Sequence, residues 1–214
     1  MLLKPCVLRF IYSLLMRWIL RWIIGVKWEK ASFLLNETQF IIIANHNSHL
    51  DTITLLASIP ARILPKVKPV AAADYFGDTP FKAKMSSYFV NALLIPRSEG
   101  LTAIRQMKKA LDEGYSLILY PEGSRGNPEE EQELKPGIAF LLSLCPHVKY
   151  VPAHLTGMGK ALPKGDNLLL PYESSLIYGK PRLIESTNRE EILQQIEEDF
   201  KILKSAALES IFHE

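Results

Sequence analysis

The segment NHNSHLD, residues 45–51, brings two histidines and one carboxylate together directly after the apolar run FIIIA. On one continuous helix, His46 and Asp51 would point about 140° apart, because each residue turns the helix by about 100°. They can meet only if His46 lies in the turn before a helix and Asp51 lies in its first turn. Ser48 is a favourable N-cap and Asp51 follows it at capping-box spacing, so the sequence permits this arrangement. An imidazole held by a carboxylate on one nitrogen can take a proton from a hydroxyl with the other.

Two other interpretations of this segment stay open. Asp51 can serve only as a helix cap that complements the helix dipole. Alternatively, His46, His49 and Asp51 can be the ligands of a metal ion, although their spacing matches no zinc signature. The spacing favours a general base over a metal centre, and we expect neither a metal nor a cofactor.

Two further polar segments follow apolar runs. IPRSEG and YPEGSRG supply Arg97, Glu122, Gly123, Ser124 and Arg125. Glycine lets the backbone approach a ligand closely, and the guanidinium fork of arginine matches phosphate oxygens. Each segment alone is compatible with an ordinary turn or a surface arginine. Two arginines near a candidate base favour an anion-binding site.

The elements that must position these residues alternate between short apolar runs and helical patterns, which predicts an α/β fold. The predicted strands are residues 40–44, 69–73, 92–95, 116–120, 150–155 and 175–179. The predicted helices are residues 48–57, 81–89, 101–113, 137–144 and 189–210. Most of the strands are continuously apolar, which is typical of a largely parallel or mixed sheet covered by helices on both faces. Ligands of such sheets bind at the carboxyl ends of the strands, where the three polar segments lie.

The first thirty residues are basic and rich in large apolar side chains. Their arginines interrupt the run of about 20 apolar residues that a membrane-spanning helix needs, and no signal-peptide cleavage pattern follows. A helix over residues 7–26 would carry a polar stripe formed by Arg9, Ser13, Arg17 and Arg21. We expect residues 1–30 to be an amphipathic, membrane-associating segment whose tryptophans and cations meet lipid headgroups. The alternative is a helix docked on the protein's own core, with its arginines in water.

Bulk composition limits the remaining possibilities. A chain of 214 residues with 48% apolar content predicts a single globular domain, here residues 31–214. The net charge of +2 does not indicate a nucleic-acid partner. Cys6 and Cys145 have neither disulfide-framework nor metal-site spacing, which fits a reducing compartment. The acidic segment NPEEEQE, residues 127–133, is interpreted as a solvated loop without a function.

Four ordered segments between Phe40 and Gly157 resemble the 1-acylglycerol-3-phosphate acyltransferase family, within the wider glycerophospholipid acyltransferases. NHNSHLD is similar to the family's NHxxxxD block, and LLIPR to its arginine-bearing second block. YPEGSR is similar to the third block, usually written with Thr before the Arg, and YVPA to the proline-containing fourth block. The first and third blocks together, in this order, are a specific pattern.

The resemblance implies transfer of a fatty acyl group from acyl-CoA or acyl carrier protein to the free hydroxyl of lysophosphatidic acid. It implies that His46 is the general base and that Asp51 is its partner. It implies acceptor binding by a set comprising Arg97, Glu122, Gly123, Ser124 and Arg125. It implies an acyl-donor role for Val151 and Pro152.

The implied location is the cytoplasmic face of a membrane, as a peripheral or monotopic protein in contact with membrane lipid. Pro96 stands where many family members have an acid, and Ser124 replaces the commoner Thr. Another lysophospholipid or a glycolipid is therefore the alternative acceptor. A metal-dependent hydrolase and a catalytically inert membrane-binding module are the alternatives from other functional classes.

Overall fold

The computed structural model describes residues 3–76, 79–96, 98–127, 130, 132–163 and 169–212. Within these residues the chain forms a seven-stranded mixed sheet with helices on both faces, so the predicted α/β fold is confirmed. The strands are β1 (Val26–Trp28), β2 (Phe40–Ala44), β3 (Val67–Ala72), β4 (Leu93–Ile95), β5 (Ser116–Leu119), β6 (Lys149–Thr156) and β7 (Ser174–Tyr178). Their spatial order is β1-β7-β6-β2-β5-β3-β4.

The chain begins with a continuous helix over residues 3–24, called here the N-terminal helix. It consists of α1 (Leu3–Phe10), a π-helical stretch (Ile11–Met16), α2 (Arg17–Ile19) and a second π-helical stretch (Leu20–Ile24). The other α-helices described are α3 (His49–Ser58), α4 (Ala73–Phe76), α5 (Pro80–Met85), α6 (Gly100–Asp112), α7 (Gly137–Leu144), α8 (Met158–Ala161) and α9 (Arg189–Phe212). Shorter turns are Ser32–Asn36 and Leu64–Lys66, both 3-10 helices, and Ser86–Val90, which is π-helical.

Strand direction determines where the polar segments meet. Strand β2 pairs in parallel with β5 and β6, and β3 pairs in parallel with β5 and β4. Strand β7 runs antiparallel to β6, and β1 is parallel to β7. The five strands β2 to β6 therefore all end at one edge of the sheet. Loops that leave this edge are adjacent although they are far apart in sequence.

The sheet separates two hydrophobic cores. In β2, Phe40, Ile42 and Ala44 pack on the face that carries the N-terminal helix and α3. Ile41 and Ile43 pack on the opposite face, which is covered by α6, α7 and α9. Both sides of β2 are thus enclosed, which explains why its sequence is apolar at every position.

A buried polar network fixes the long helix α9 to the centre of the sheet. The hydroxyl of Tyr150 in β6 donates to Asp199 Oδ2 over 2.5 Å and accepts a hydrogen bond from Gln195 Nε2 over 2.7 Å. Asp199 also accepts from the Arg182 guanidinium over 2.8 Å. Because each of these buried groups has a partner, the network holds α9 in one register on β6.

The N-terminal helix docks one side on the protein and leaves a large apolar surface uncovered. Leu8, Tyr12, Leu20 and Ile24 are buried in the core shared with α3. The exposed large apolar side chains of this helix are Leu3, Phe10, Leu14, Leu15, Trp18, Trp22 and Ile23. None of the helices described has both the length and the apolar character needed to cross a bilayer.

Two arginines of this helix donate hydrogen bonds to backbone carbonyl groups of the protein. Arg17 donates to the carbonyl oxygen of Ala57 through two nitrogens, at 2.6 and 3.0 Å. Arg9 donates to the carbonyl oxygen of Ala61 over 3.1 Å. The last carbonyls of a helix lack partners within the helix, so these guanidinium groups satisfy backbone acceptors in and just after the last turn of α3. They attach the N-terminal helix to the protein.

Candidate active site

His46 lies in the turn after β2, and Asp51 lies in the first turn of α3. Ser48 is the N-cap of α3, and its backbone is extended with a φ of −145°, so His46 lies before the helix and Asp51 within it. His46 Nδ1 lies 2.9 Å from Asp51 Oδ2. The predicted contact between the imidazole and the carboxylate is therefore present, together with the predicted capping box.

This contact defines the hydrogen-bonding capacity of His46. An ionised carboxylate only accepts hydrogen bonds, so Nδ1 is the donor and Nε2 is left to accept a proton. Asp51 has 1% of its side chain exposed, while the His46 side chain keeps 17%. The carboxylate is sealed inside the protein and the imidazole reaches the surface of the site. The pair can thus act as a base that draws a proton from a bound hydroxyl.

A tyrosine that sequence reasoning missed lies flat against His46. Tyr120 follows β5, and its ring centroid is 3.9 Å from that of His46, with the two ring planes 16° apart. The Tyr120 hydroxyl lies 2.7 Å from Thr52 Oγ1 on α3. Burial, together with the nearby charge of Asp51, raises the pKa of Tyr120 well above its usual value, so the phenol stays protonated. The aromatic residue directly before PEG was the only sequence signal for it.

The loop after β5 is tied to the backbone of His46. Glu122 Oε2 accepts hydrogen bonds from the His46 backbone N–H, at 3.3 Å, and from Gln132 Nε2, at 2.6 Å. The Gly126 backbone N–H donates to the His46 carbonyl oxygen over 3.0 Å. Gly123 adopts a φ of 76° in this loop, a conformation that favours glycine. Both the N–H and the carbonyl group of His46 are therefore held by one loop.

Gln132 belongs to the acidic segment, residues 127–133, to which the sequence analysis assigned no function. Besides its bond to Glu122, its side-chain amide lies 3.4 Å from the Ser124 carbonyl oxygen. It also packs so closely on Gly126 that a Cβ at that glycine would lie 2.3 Å from the Gln132 amide nitrogen. This part of the segment supports the loop that carries the predicted phosphate-binding residues.

Of the predicted anion-binding residues, the structure describes Glu122, Gly123, Ser124 and Arg125. Gly123 and Ser124 are exposed at the same edge of the sheet as His46, and Arg125 is partly exposed there. Burial lowers the pKa of His49, and the positive charge of Arg125 lowers it further, so Arg125 lies within electrostatic reach of the first turn of α3. Arg97 lies outside the described residues.

The two residues of the fourth segment lie inside the sheet. Val151 and Pro152 are buried in β6 opposite Ile42 and Ile43. Their acyl-donor role stays a prediction. Further along β6, a pair of hydrogen bonds joins the Asn45 side chain to the backbone of Leu155: Asn45 Nδ2 donates to the carbonyl oxygen at 2.8 Å, and the backbone N–H donates to Asn45 Oδ1 at 2.7 Å. This strand thereby fixes the residue immediately before His46.

The alternative metal site was also tested against the geometry. Across the part of the chain that the structure describes, no group of three or more His, Cys, Asp and Glu side chains is placed to hold a metal ion. His46, His49 and Asp51 therefore do not form such a cluster. The arrangement of His46 and Asp51 suits proton transfer instead.

Comparisons with known proteins identify the family and the fold of this chain. The sequence model of the family described as Acyltransferase matches residues 25–155, which include both the His46 and the Glu122 segments. The crystal structure of the 1-acyl-sn-glycerophosphate (LPA) acyltransferase PlsC from Thermotoga maritima superimposes with a TM-score of 0.75. That match covers 92% of this chain and 76% of the other at 20% sequence identity, so it establishes a common fold. A search of curated proteins found no match.

The carboxyl of Glu122 provides a test of the loop geometry by pH. Burial raises the pKa of Glu122 to about 7, against 4.5 for an ordinary glutamate. Between these two pH values the folded protein keeps a proton that the unfolded chain releases, so this group makes folding less favourable as pH rises from about 4.5 to 7. Glu122→Gln keeps the shape, and its amide oxygen can accept both hydrogen bonds. We expect the free energy of unfolding of the variant, relative to that of wild type, to increase by about 2 to 3 kcal/mol between pH 4.5 and 8.

Urea unfolding of both proteins across this pH range measures the difference. Glu133→Gln, at an exposed position of the same segment, is the control and should show no such trend. A difference between wild type and Glu122→Gln that is constant with pH would contradict the buried position of this carboxyl.

Proposed function

This chain belongs to the acyltransferase family, and we propose that it transfers a fatty acyl group from a thioester to the free hydroxyl of lysophosphatidic acid, giving phosphatidic acid. The thioester is acyl-CoA or acyl-acyl carrier protein. The observation that carries the proposal is the 2.9 Å contact between His46 Nδ1 and Asp51 Oδ2, which leaves Nε2 as a proton acceptor at the edge of the sheet. The order of the sequence segments and the PlsC-like fold support the choice of acceptor.

The chemistry needs no covalent enzyme intermediate. Nε2 of His46 removes the hydroxyl proton while the hydroxyl oxygen attacks the thioester carbonyl, and Asp51 stabilises the imidazolium that forms. Collapse of the tetrahedral intermediate breaks the carbon–sulfur bond, and the departing thiolate takes the proton from the imidazolium. The histidine is neutral again at the end of the cycle, and no cofactor is consumed.

The acceptor phosphate is assigned to the loop after β5. Arg125 supplies a guanidinium fork, and Gly123 and Ser124 supply exposed backbone beside it. Arg97 is assigned to the same phosphate from the sequence resemblance. Glu122 supports this loop from beneath through its hydrogen bonds to His46 and Gln132. Val151 and Pro152 are assigned to the acyl-donor side on the resemblance alone.

The N-terminal helix is proposed to hold the protein at a membrane surface, where both acyl chains reside. Its uncovered side presents Trp18 and Trp22, which are 56% and 77% exposed, among large aliphatic side chains. An uncovered apolar surface of this kind is typical of a helix that lies in the interfacial region of a bilayer. The protein would then be peripheral or monotopic at the cytoplasmic face.

The proposed mechanism predicts the effect of removing the base. His46→Ala should lower acyl transfer by about 10²- to 10⁴-fold, because the hydroxyl is no longer deprotonated during attack. The measurement is release of CoA thiol from oleoyl-CoA in the presence and absence of lysophosphatidic acid. His147→Ala, an exposed histidine before β6 at the opposite edge of the sheet, is the control and should retain wild-type turnover.

Turnover of His46→Ala within a few-fold of wild type would refute the mechanism. Thiol release by wild type without an acceptor would instead identify a thioesterase. Thiol release measured with a panel of other lysophospholipids and glycolipids then shows whether the protein uses one of the alternative acceptors.

The next prediction concerns the phosphate. Arg125→Ala should raise the KM for lysophosphatidic acid by about ten- to a hundredfold, since a hydrogen bond to a charged group contributes about 1.5 to 3 kcal/mol. Arg125→Lys keeps the charge but loses the guanidinium fork, so its KM for lysophosphatidic acid should lie between those of wild type and Arg125→Ala. Arg105→Ala, an exposed arginine of α6, is the matched control. An unchanged acceptor KM in Arg125→Ala would remove this residue from the phosphate site.

A further prediction concerns the membrane. The double substitution Trp18→Glu and Trp22→Glu should reduce partitioning into phosphatidylcholine vesicles by at least about tenfold, because two large apolar side chains lose their favourable burial. Both side chains are exposed, so the fold should be retained. The control Ile202→Glu places one such charge at a 66% exposed apolar position on α9, which lies on the other face of the sheet. Equal vesicle binding by all three proteins would rule out this role of the N-terminal helix.

A further inference from the structure

We propose that Tyr120 is a positioning residue for the base: its ring fixes the plane of the His46 imidazole, and Thr52 anchors that ring to α3. The proposal rests on the function proposed above. Tyr120 acts through His46 and is assigned no contact with substrate.

The hydrogen bond to Asp51 alone does not define the orientation of the imidazole. It restrains one ring atom, Nδ1, and leaves the ring free to tilt about the axis that joins Nδ1 to Asp51 Oδ2. A tilt of this kind moves Nε2, the atom that must meet the acceptor hydroxyl. The Tyr120 ring, 3.9 Å away and within 16° of parallel, covers one face of the imidazole and opposes the tilt. Errors of about 1 Å in such positions can cost on the order of 10²-fold in rate.

The anchor of Tyr120 comes from the residue that follows Asp51. Thr52 Oγ1 lies 2.7 Å from the Tyr120 hydroxyl. The first turn of α3 therefore holds His46 twice, directly through the Asp51 carboxylate and indirectly through Thr52 and the Tyr120 ring. Because both restraints start from adjacent residues of one helix, they keep a fixed relation to each other.

The stack also has an electrostatic consequence. When His46 takes the hydroxyl proton it becomes a cation, and the face of an aromatic ring attracts a cation. The neutral ring of Tyr120 lies where that charge develops. It should therefore stabilise the transition state more than the ground state, which raises kcat without changing substrate binding.

The molecule contains a matched internal control. Tyr178 is also partly buried, and its hydroxyl lies 2.7 Å from Ser58 Oγ, at the other end of α3. Its ring packs edge-on against Phe33, whereas the Tyr120 ring stacks on His46. Substitutions at either position remove a tyrosine hydroxyl that contacts α3, but only those at Tyr120 affect the ring that stacks on His46.

The experiment compares kcat and both substrate KM values for Tyr120→Leu, Tyr120→Phe, Tyr178→Leu and Tyr178→Phe. Tyr120→Leu should lose about 10- to 100-fold in kcat with KM values within about twofold of wild type. Tyr120→Phe keeps the stacked ring and should recover most of that loss. Both Tyr178 variants should keep wild-type kcat, whatever they cost in thermal stability. A kcat loss in Tyr120→Leu no larger than in Tyr178→Leu, or a loss confined to KM, would overturn the proposal.

The Thr52 anchor is tested by Thr52→Val alone and combined with Tyr120→Phe. Both substitutions delete the same hydrogen bond, so their effects on kcat should not add. Additive effects would exclude Thr52 as the anchor.

A measurement without substrate separates this proposal from the proposed function. The His46 ring protons, assigned by their loss in His46→Ala, should resonate upfield in the NMR spectrum because they lie over the Tyr120 ring. The shift should persist in Tyr120→Phe and vanish in Tyr120→Leu. If the upfield shift is present but the protein shows no acyl transfer, the stack exists and the proposed function is wrong. If wild type is active but shows no upfield shift, the stack is refuted.

Discussion

One carboxylate oxygen organises the candidate site. Asp51 Oδ2 receives the His46 imidazole at 2.9 Å and the backbone N–H groups of Asn47 and Ser48 at 2.7 Å each. The two backbone bonds cap the start of α3, where N–H groups have no partners within the helix. The same oxygen therefore ends the turn, begins the helix and holds the imidazole. The functional and the structural interpretations of Asp51 are two consequences of one arrangement.

The surrounding sheet makes this arrangement reproducible. Strands β2, β5 and β6 are parallel neighbours, so the turn after β2, the loop after β5 and the end of β6 meet without long connections. Each neighbour then fixes a different part of the His46 turn. Asn45 is bonded to Leu155 from β6, and the loop after β5 bonds both the N–H and the carbonyl of His46. The backbone of the turn that carries the imidazole is thereby bonded to both neighbouring strand ends.

Sequence patterns predicted the elements of the fold well because they depend on local burial. Continuous apolar runs such as FIIIA located the central strands within a few residues, and the capping-box spacing of Ser48 and Asp51 located the start of α3. Strand β1 was missed, since three residues with the burial pattern of Val26–Trp28 carry too little periodic signal. The π-helical stretches of the N-terminal helix were likewise not predictable from a 3.6-residue pattern. That helix was placed correctly in sequence, but the hydrogen bonds of Arg9 and Arg17 to distant carbonyl groups could not be predicted from its pattern.

In the candidate site, contacts within one segment could be predicted from sequence, whereas contacts between segments could not. His46 and Asp51 could be paired from spacing because both belong to one turn. Tyr120 and Gln132 could not, because their contacts with His46 and Glu122 cross from one segment to another and exist only after the sheet has formed. Nothing in an acidic segment indicates that its glutamine faces inward while exposed Glu133 beside it faces solvent.

The position of Glu122 resolves an apparent conflict in the predicted phosphate site. A carboxylate facing a bound phosphate would repel it, so a glutamate beside two arginines is unexpected in an anion-binding loop. In the structure Glu122 is buried, and its oxygen accepts hydrogen bonds from His46 and Gln132 beneath the loop. Burial raises its pKa to about 7, so near neutral pH the carboxyl carries only part of a negative charge. These contacts therefore favour a role for Glu122 in supporting the loop over a role in contacting an anion.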